Sequence, residues 1–217
     1  MAGEKAWERL VGWLRNELQA AGDRTLVVGL VGLPGCGKST LAARLLAELA
    51  LPHSLSLSLD DFYLTAEQRR QRGLVWRGPP GTHELPLLDQ FLAQIGAGAV
   101  LVQVPVFDRE NELRLCIIEG WFVGARRPGY ERLADAVQRL IYLDMDVKEA
   151  RAARLAREAA LRSRGAGGMS EATVARFWDE AIAPHIDTLV TPLRARAHAQ
   201  LTFGPAHRIT ALTLRRG

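Results

Sequence analysis

Residues 32–39 read Gly-Leu-Pro-Gly-Cys-Gly-Lys-Ser, a match to G-x-x-x-x-G-K-[ST] that directly follows the apolar run TLVVGLV (25–31) and precedes LAARLLAEL (41–49). A strand feeding a glycine loop that opens a helix is the context in which this spacing carries chemistry. Glycines let successive backbone N–H groups turn inward around phosphate oxygens, at a helix N-terminus whose dipole favours anions. Lys38 is spaced to reach the β- and γ-phosphates, and the Ser39 hydroxyl is placed to ligate Mg²⁺. The pattern predicts a nucleoside triphosphate site made of Gly32, Leu33, Pro34, Gly35, Cys36, Gly37, Lys38, Ser39 and Thr40. Of 28 basic residues only three are lysines, and one of them closes this loop; the arginine excess elsewhere reads as genomic base composition.

Strand-like and helical runs alternate along the rest of the chain. SLSLSL (54–59), RLCIIEG (114–120) and LIYLDMD (140–146) join TLVVGLV as strands, with QLTFG and RITALTL as a weaker closing pair. STLAARLLAELA, PLLDQFLAQIGA, GYERLADAVQRL, VKEARAARLAREAALRSR and EATVARFWDEAIAPHIDTLV read as helices. This alternation predicts an α/β fold whose mostly parallel sheet has helices on both faces. Serine alternating with leucine in SLSLSL suits a strand near an edge. RGLVWRGPPGTHELP and RSRGAGGMS are rich in Gly and Pro and read as loops. At 217 residues the chain can bury one sizeable core, read as a single domain over 1–217 with an N-terminal amphipathic helix over 1–22.

Several roles are disfavoured by composition. A net charge of +4 demands no nucleic-acid partner, although a mildly basic chain suits phosphorylated ligands. The N-terminal segment carries charges throughout and no run approaches ~18 apolar residues, so neither a leader nor a membrane partner is expected. Cys36 and Cys116 sit in PGCGK and RLCIIEG, places that suit neither a disulfide framework nor a metal site. A reducing cytoplasmic setting is the expectation, with a homodimer left open.

Three further features bear on chemistry. SLSLSLDDFYLT places Asp60, Asp61 and Tyr63 at the carboxyl end of a strand, the edge at which open α/β sheets bind ligands. A carboxylate there can accept the proton of an attacking hydroxyl, or it can cap the next helix; the two aspartates could divide those roles. RLCIIEGW drives four apolar residues into Glu119, an oxygen donor suited to the metal side of a phosphate site. Arg151, Arg154 and Arg157 recur every third residue on one helix, ahead of Arg162 and Arg164. Arg154 and Arg157 are expected to close over the phosphates, and Arg162 and Arg164 to be solvated.

Taken in order, the phosphate loop, LDDFY (59–63), VPVFD (104–108), IIEGW (117–121) and the arginine helix resemble the phosphoribulokinase, uridine kinase and pantothenate kinase group of P-loop kinases, over most of the chain. Within that group DDFYLT (60–65), RGPPGTHEL (77–85) and Glu119-Gly120-Trp121 look most like the D-glycerate 3-kinase type. The resemblance implies a P-loop NTPase three-layer α/β/α sandwich with a mostly parallel five-stranded sheet in the order 2-3-1-4-5. It implies transfer of the γ-phosphate of ATP, with Mg²⁺, to a hydroxyl of a small metabolite. D-glycerate ranks first, and uridine, cytidine or pantothenate are alternatives on the same scaffold. A non-catalytic ATP-binding switch is the rival of a different class.

Carried over residue by residue, the resemblance makes Asp60 the base and gives Lys38, Arg154 and Arg157 the charge of the transferred group. Ser39 and Glu119 become the metal ligands, and residues 148–168 an arginine-rich lid. Asp61, Tyr63, His83, Asp108 and Arg109 fall to the acceptor pocket, where an arginine or histidine suits a carboxylate. The chain departs from the plant and fungal glycerate kinases in being shorter, with a compressed VPVFDRENELRL link (104–115) before the third strand. That departure leaves the acceptor open, as the loop leaves open ATP against GTP.

Overall fold

All six residues of Leu26–Val31 are buried, the signature of a strand with neighbours on both sides and helices on both faces. The computed structural model describes residues 2–96 and 113–215. In chain order its elements are α1 (Ala2–Ala21), β1 (Leu26–Val31), α2 (Lys38–Leu49), β2 (Ser54–Ser58), α3 (Ala66–Gln71), α4 (Leu85–Gly96), β3 (Leu115–Glu119), α5 (Glu131–Ala136), β4 (Arg139–Asp144), α6 (Val147–Ser163), α7 (Glu171–Phe177), α8 (Thr191–Arg196), β5 (Ala199–Gly204) and β6 (Arg208–Leu214). The fold is α/β, with one sheet in the order β2-β3-β1-β4-β5-β6.

The expected order 2-3-1-4-5 holds for the parallel strands, with SLSLS at one edge. The expected count of five is corrected to six. RITALTL adds an antiparallel strand beside β5 because only the tight turn Pro205–His207 separates the two. A turn that short permits a hairpin and no parallel crossover. Helix α1 lies against this last strand and buries Trp7, Leu10, Val11 and Leu14, an apolar stripe at helical spacing. Approach is close enough that a Cβ on Gly3 would stand 2.4 Å from the carbonyl oxygen of Ile209.

EATVARFWDEAIAPHIDTLV is the helical reading that changes most. α7 ends at Phe177, and the chain continues through two wide π-type turns, Trp178–Ile182 and Ile186–Val190, around the short turn Ala183–His185. Pro184 has no N–H and crowds the preceding turn, so a regular helical ladder cannot run through it. The widened turns keep Trp178, Ile182 and Leu189 buried nonetheless.

Candidate active site

The phosphate loop takes its shape from two glycines. Gly35 (φ +94°) and Gly37 (φ +90°) occupy left-handed backbone that side chains disfavour. Gly35 also rests on the first turns of α6: a Cβ there would come within 2.3 Å of the Ala150 carbonyl oxygen. Lys38 opens α2, and its buried ammonium donates to the carbonyls of Gly32 (2.9 Å) and Leu33 (3.0 Å). Among the described residues no carboxylate pairs with it. The Cys36 thiol is fully buried behind the loop, 4.0 Å from the Lys38 ammonium, and burial pushes its pKa up. The Ser39 hydroxyl donates to Glu119 Oε1 at 2.6 Å, joining the loop to the end of β3.

At the end of β2 a tight turn, Leu59–Phe62, separates the two aspartates. Asp61 accepts from the Ser58 N–H at 3.0 Å and completes a capping box, so its carboxylate is used in the backbone rather than at the cavity expected for it. Asp60 lines the cavity and accepts from the Tyr63 hydroxyl at 2.6 Å. Burial and the neighbouring Asp60 charge push the Tyr63 phenol far up, which keeps it a donor.

The acceptor contact expected of His83 is corrected. The ring is 2% exposed and stacks behind Tyr63, centroids 4.7 Å apart, instead of lining the cavity. Its Nδ1 shares a 2.8 Å hydrogen bond with the Tyr130 hydroxyl, which also accepts from Gly81 N–H. Burial lowers the His83 pKa to about 4, so the imidazole is neutral at physiological pH. Asp108 and Arg109 lie outside the described residues.

Two indoles pin the loop that carries Arg77. Trp121, the tryptophan of EGW, donates to the Gly78 carbonyl at 3.0 Å, and Trp76 donates to Glu180 Oε2 at 2.8 Å. Gly78 N–H in turn donates to Thr82 Oγ1 at 3.0 Å. Across the cavity, α6 presents Arg154 and Arg157. Arg154 pairs with the buried Glu158 at 2.9 Å, and Glu158 Oε2 accepts from Met169 N–H at 2.9 Å, which ties the glycine-rich turn to the helix. Arg151 turns to Asp179 at 3.1 Å, and exposed Arg162 donates to the Met169 carbonyl.

These parts enclose one cavity of about 810 Å³. It brings together the phosphate loop, Asp60, Tyr63, Glu119, Arg154 and Arg157. It also brings in groups the sequence reading did not single out: Arg77, Glu158, Phe177 and His207. Arg77 opens the RGPPGTHEL stretch that contains His83, and Glu158 directly follows Arg157 on α6. His207 gives no sequence signal, because it arrives from the β5–β6 turn to donate from Nε2 to the Gly35 carbonyl at 2.6 Å. Its backbone (φ +55°) and that of Ala206 (φ +56°) are left-handed without being glycine. Among the described residues no helix is long and apolar enough to cross a membrane.

Comparison with known proteins agrees with this arrangement. A pantothenate kinase from Sorangium cellulosum is 29% identical over 228 residues, which cover 90% of this chain and 74% of that protein. A chloroplastic D-glycerate 3-kinase from Arabidopsis thaliana is 29% identical over 130 residues, 46% of this chain and 28% of the relative. Among solved structures, a D-glycerate 3-kinase from Cryptococcus neoformans superposes with a TM-score of 0.78 at 19% identity, covering 96% of this chain and 98% of that one. At that identity the likeness is one of fold. No protein-family model matches. With the loop, the strand order and these relatives together, the chain is similar to the P-loop small-molecule kinases, the group that includes phosphoribulokinase, uridine kinase and pantothenate kinase, and shares their fold.

Proposed function

We propose that this ATP-dependent small-molecule kinase phosphorylates a hydroxyl of a small hydroxy acid, D-glycerate first. The observation that carries the reading is the Asp60–Tyr63 pair, a hydrogen-bonded carboxylate on the wall of the same cavity as the phosphate loop. A nucleotide switch has no use for a positioned base there. D-glycerate is supported by the DDFYLT, GTHEL and EGW wording together with the fungal D-glycerate 3-kinase fold. Pantothenate is the second acceptor, supported by the relative that spans 90% of the chain.

The residues fit Mg·ATP. The glycine turn leaves no room for side chains between loop and α6, and a buried ammonium that among the described residues has two carbonyls and the Cys36 sulfur as partners, and no carboxylate, gains from an arriving anion. Ser39 and Glu119 would hold Mg²⁺, directly or through water. Among the described residues no group of three or more His, Cys, Asp or Glu side chains converges, so phosphate oxygens and waters would complete its shell. When bound, the metal neutralises charge on the β- and γ-phosphates. Asp60 takes the proton of the acceptor hydroxyl as its oxygen bonds the γ-phosphorus and the bond from that phosphorus to the β,γ-bridging oxygen breaks, releasing ADP, and Tyr63 holds the carboxylate in orientation. Lys38, Arg154 and Arg157 balance charge on the transferred group, a contribution that grows toward the transition state. The pinned loop at 76–80 and the α6 side limit the water that would otherwise compete as acceptor.

The test is ADP release from Mg·ATP with D-glycerate, L-glycerate, pantothenate, uridine, cytidine and ribulose 5-phosphate offered singly. Stimulation by D-glycerate alone supports the first reading, and by pantothenate alone the second. ATP binding without stimulation by any acceptor would overturn both and favour the switch.

A further inference from the structure

Among the described residues four strongly basic side chains line the cavity, and they are not equivalent. Lys38 is folded onto the carbonyls of its own loop. Arg154 is paired with Glu158. Arg157 shares α6 with Arg154, the helix on which the phosphate loop rests through Gly35 and Ala150. Of these four, only Arg77 comes from the opposite wall: its guanidinium carbon stands 5.8 Å from the Tyr63 ring centroid, beside the residue that holds Asp60. Among the described residues it makes no ion pair, and Asp60 lies beyond salt-bridge distance of it.

The backbone around Arg77 is built rather than loose. Trp76 is tied to Glu180, and Gly78 is held by Trp121 on one side and Thr82 on the other. A fixed backbone delivers a guanidinium to the cavity wall beside Tyr63, where Asp60 already supplies a negative charge. An acceptor that is itself an anion needs a countercharge on that wall. A planar fork of N–H donors matches a carboxylate in two parallel hydrogen bonds. We propose that Arg77 binds the carboxylate of the acceptor, so that the enzyme selects hydroxy acids over neutral polyols and nucleosides. This rests on the kinase reading above and deepens it, since it holds for D-glycerate and pantothenate alike and fails for uridine.

The experiment compares matched pairs that differ only at the carboxylate: D-glycerate with glycerol, and pantothenate with pantothenol. In wild-type protein the acid of the active pair is turned over far better than its alcohol. In Arg77→Gln the KM for that acid rises about 10- to 100-fold, as for loss of a charged hydrogen-bond pair, while the KM for ATP stays within about twofold. The preference for acid over alcohol, taken as a ratio of kcat/KM, falls by the same factor. Arg77→Lys recovers part of it, and the melting temperature of both variants confirms folding at this exposed position. Equal turnover of acid and alcohol by wild type would overturn the proposal. So would an unchanged acid KM in Arg77→Gln, or a rise confined to ATP. Absence of transfer to every acceptor would instead overturn the kinase reading on which it stands.

Discussion

Asp60 and Tyr63 share a 2.6 Å hydrogen bond, so Asp60→Asn keeps shape and most of the contact but cannot take a proton. Turnover in that variant is expected to drop about 10²- to 10⁴-fold with nucleotide affinity nearly intact. Initial rates beside a fluorescent-ATP titration check it, and weakened ATP binding with normal turnover of the bound fraction would remove Asp60 from the role of base. Lys38→Ala should lose affinity and rate together in the same two assays. His83 gives a pH signature. Its folded pKa of about 4 lies below its ordinary 6.5, so the unfolded chain binds more protons between those values. Its contribution is therefore whole above about pH 6.5 and is lost as the pH falls toward 4, worth up to about 3 kcal/mol across that interval. Urea titrations across that range should show a shallower acid loss in His83→Gln than in wild type. The sequence raised a division between the two aspartates, but DDFY alone does not say which of them caps, and GTHEL does not show the placement of its histidine. Two adjacent carboxylates are alike in sequence until a capping box takes one, and nothing in GTHEL says that the imidazole turns inward behind a tyrosine.

Helix α6 joins the glycine-rich turn at Met169 to the phosphate loop. Its Glu158 is 5% exposed and bonds both Arg154 and the Met169 backbone, so Glu158→Ala leaves an arginine half-buried without its partner. A destabilisation of about 3 kcal/mol or more is expected in urea titration, with kcat reduced more than the KM for ATP. Gly35→Ala meets the Ala150 carbonyl at 2.3 Å from a left-handed backbone and must lift the loop from the helix. ATP binding by calorimetry should be lost while the far-ultraviolet dichroism of the fold persists. At this level the sequence was informative wherever periodicity met a clear boundary: the parallel strands and the helix after the loop appear where expected. It misled at 178–190, where helical spacing of apolar residues continues past Pro184 although the backbone cannot. The sixth strand was visible as a weak apolar run, but its direction depends on a turn length and not on its own residues.

The cavity draws on residues from Pro34 to His207, and only the assembled sheet brings them together. Motif order points to the wall made by the glycine loop because one local stretch supplies it; Arg77 and His207 on the other walls come from separate loops and were not singled out. The β5–β6 turn closes the circuit, since His207 bonds Gly35 from the far end of the chain and couples the hairpin to the loop. The placement of Cys36 has a further consequence. Its thiol is sealed behind the glycine turn, and Cys116 is sealed within the central strand β3. A thiol reagent in solution can reach Cys36 only when the loop opens, so the labelling rate is a clock for that opening. Saturating Mg·ATP should slow that clock manyfold. Cys116, which answers only to separation of the central strands, should keep its own much slower time with or without nucleotide.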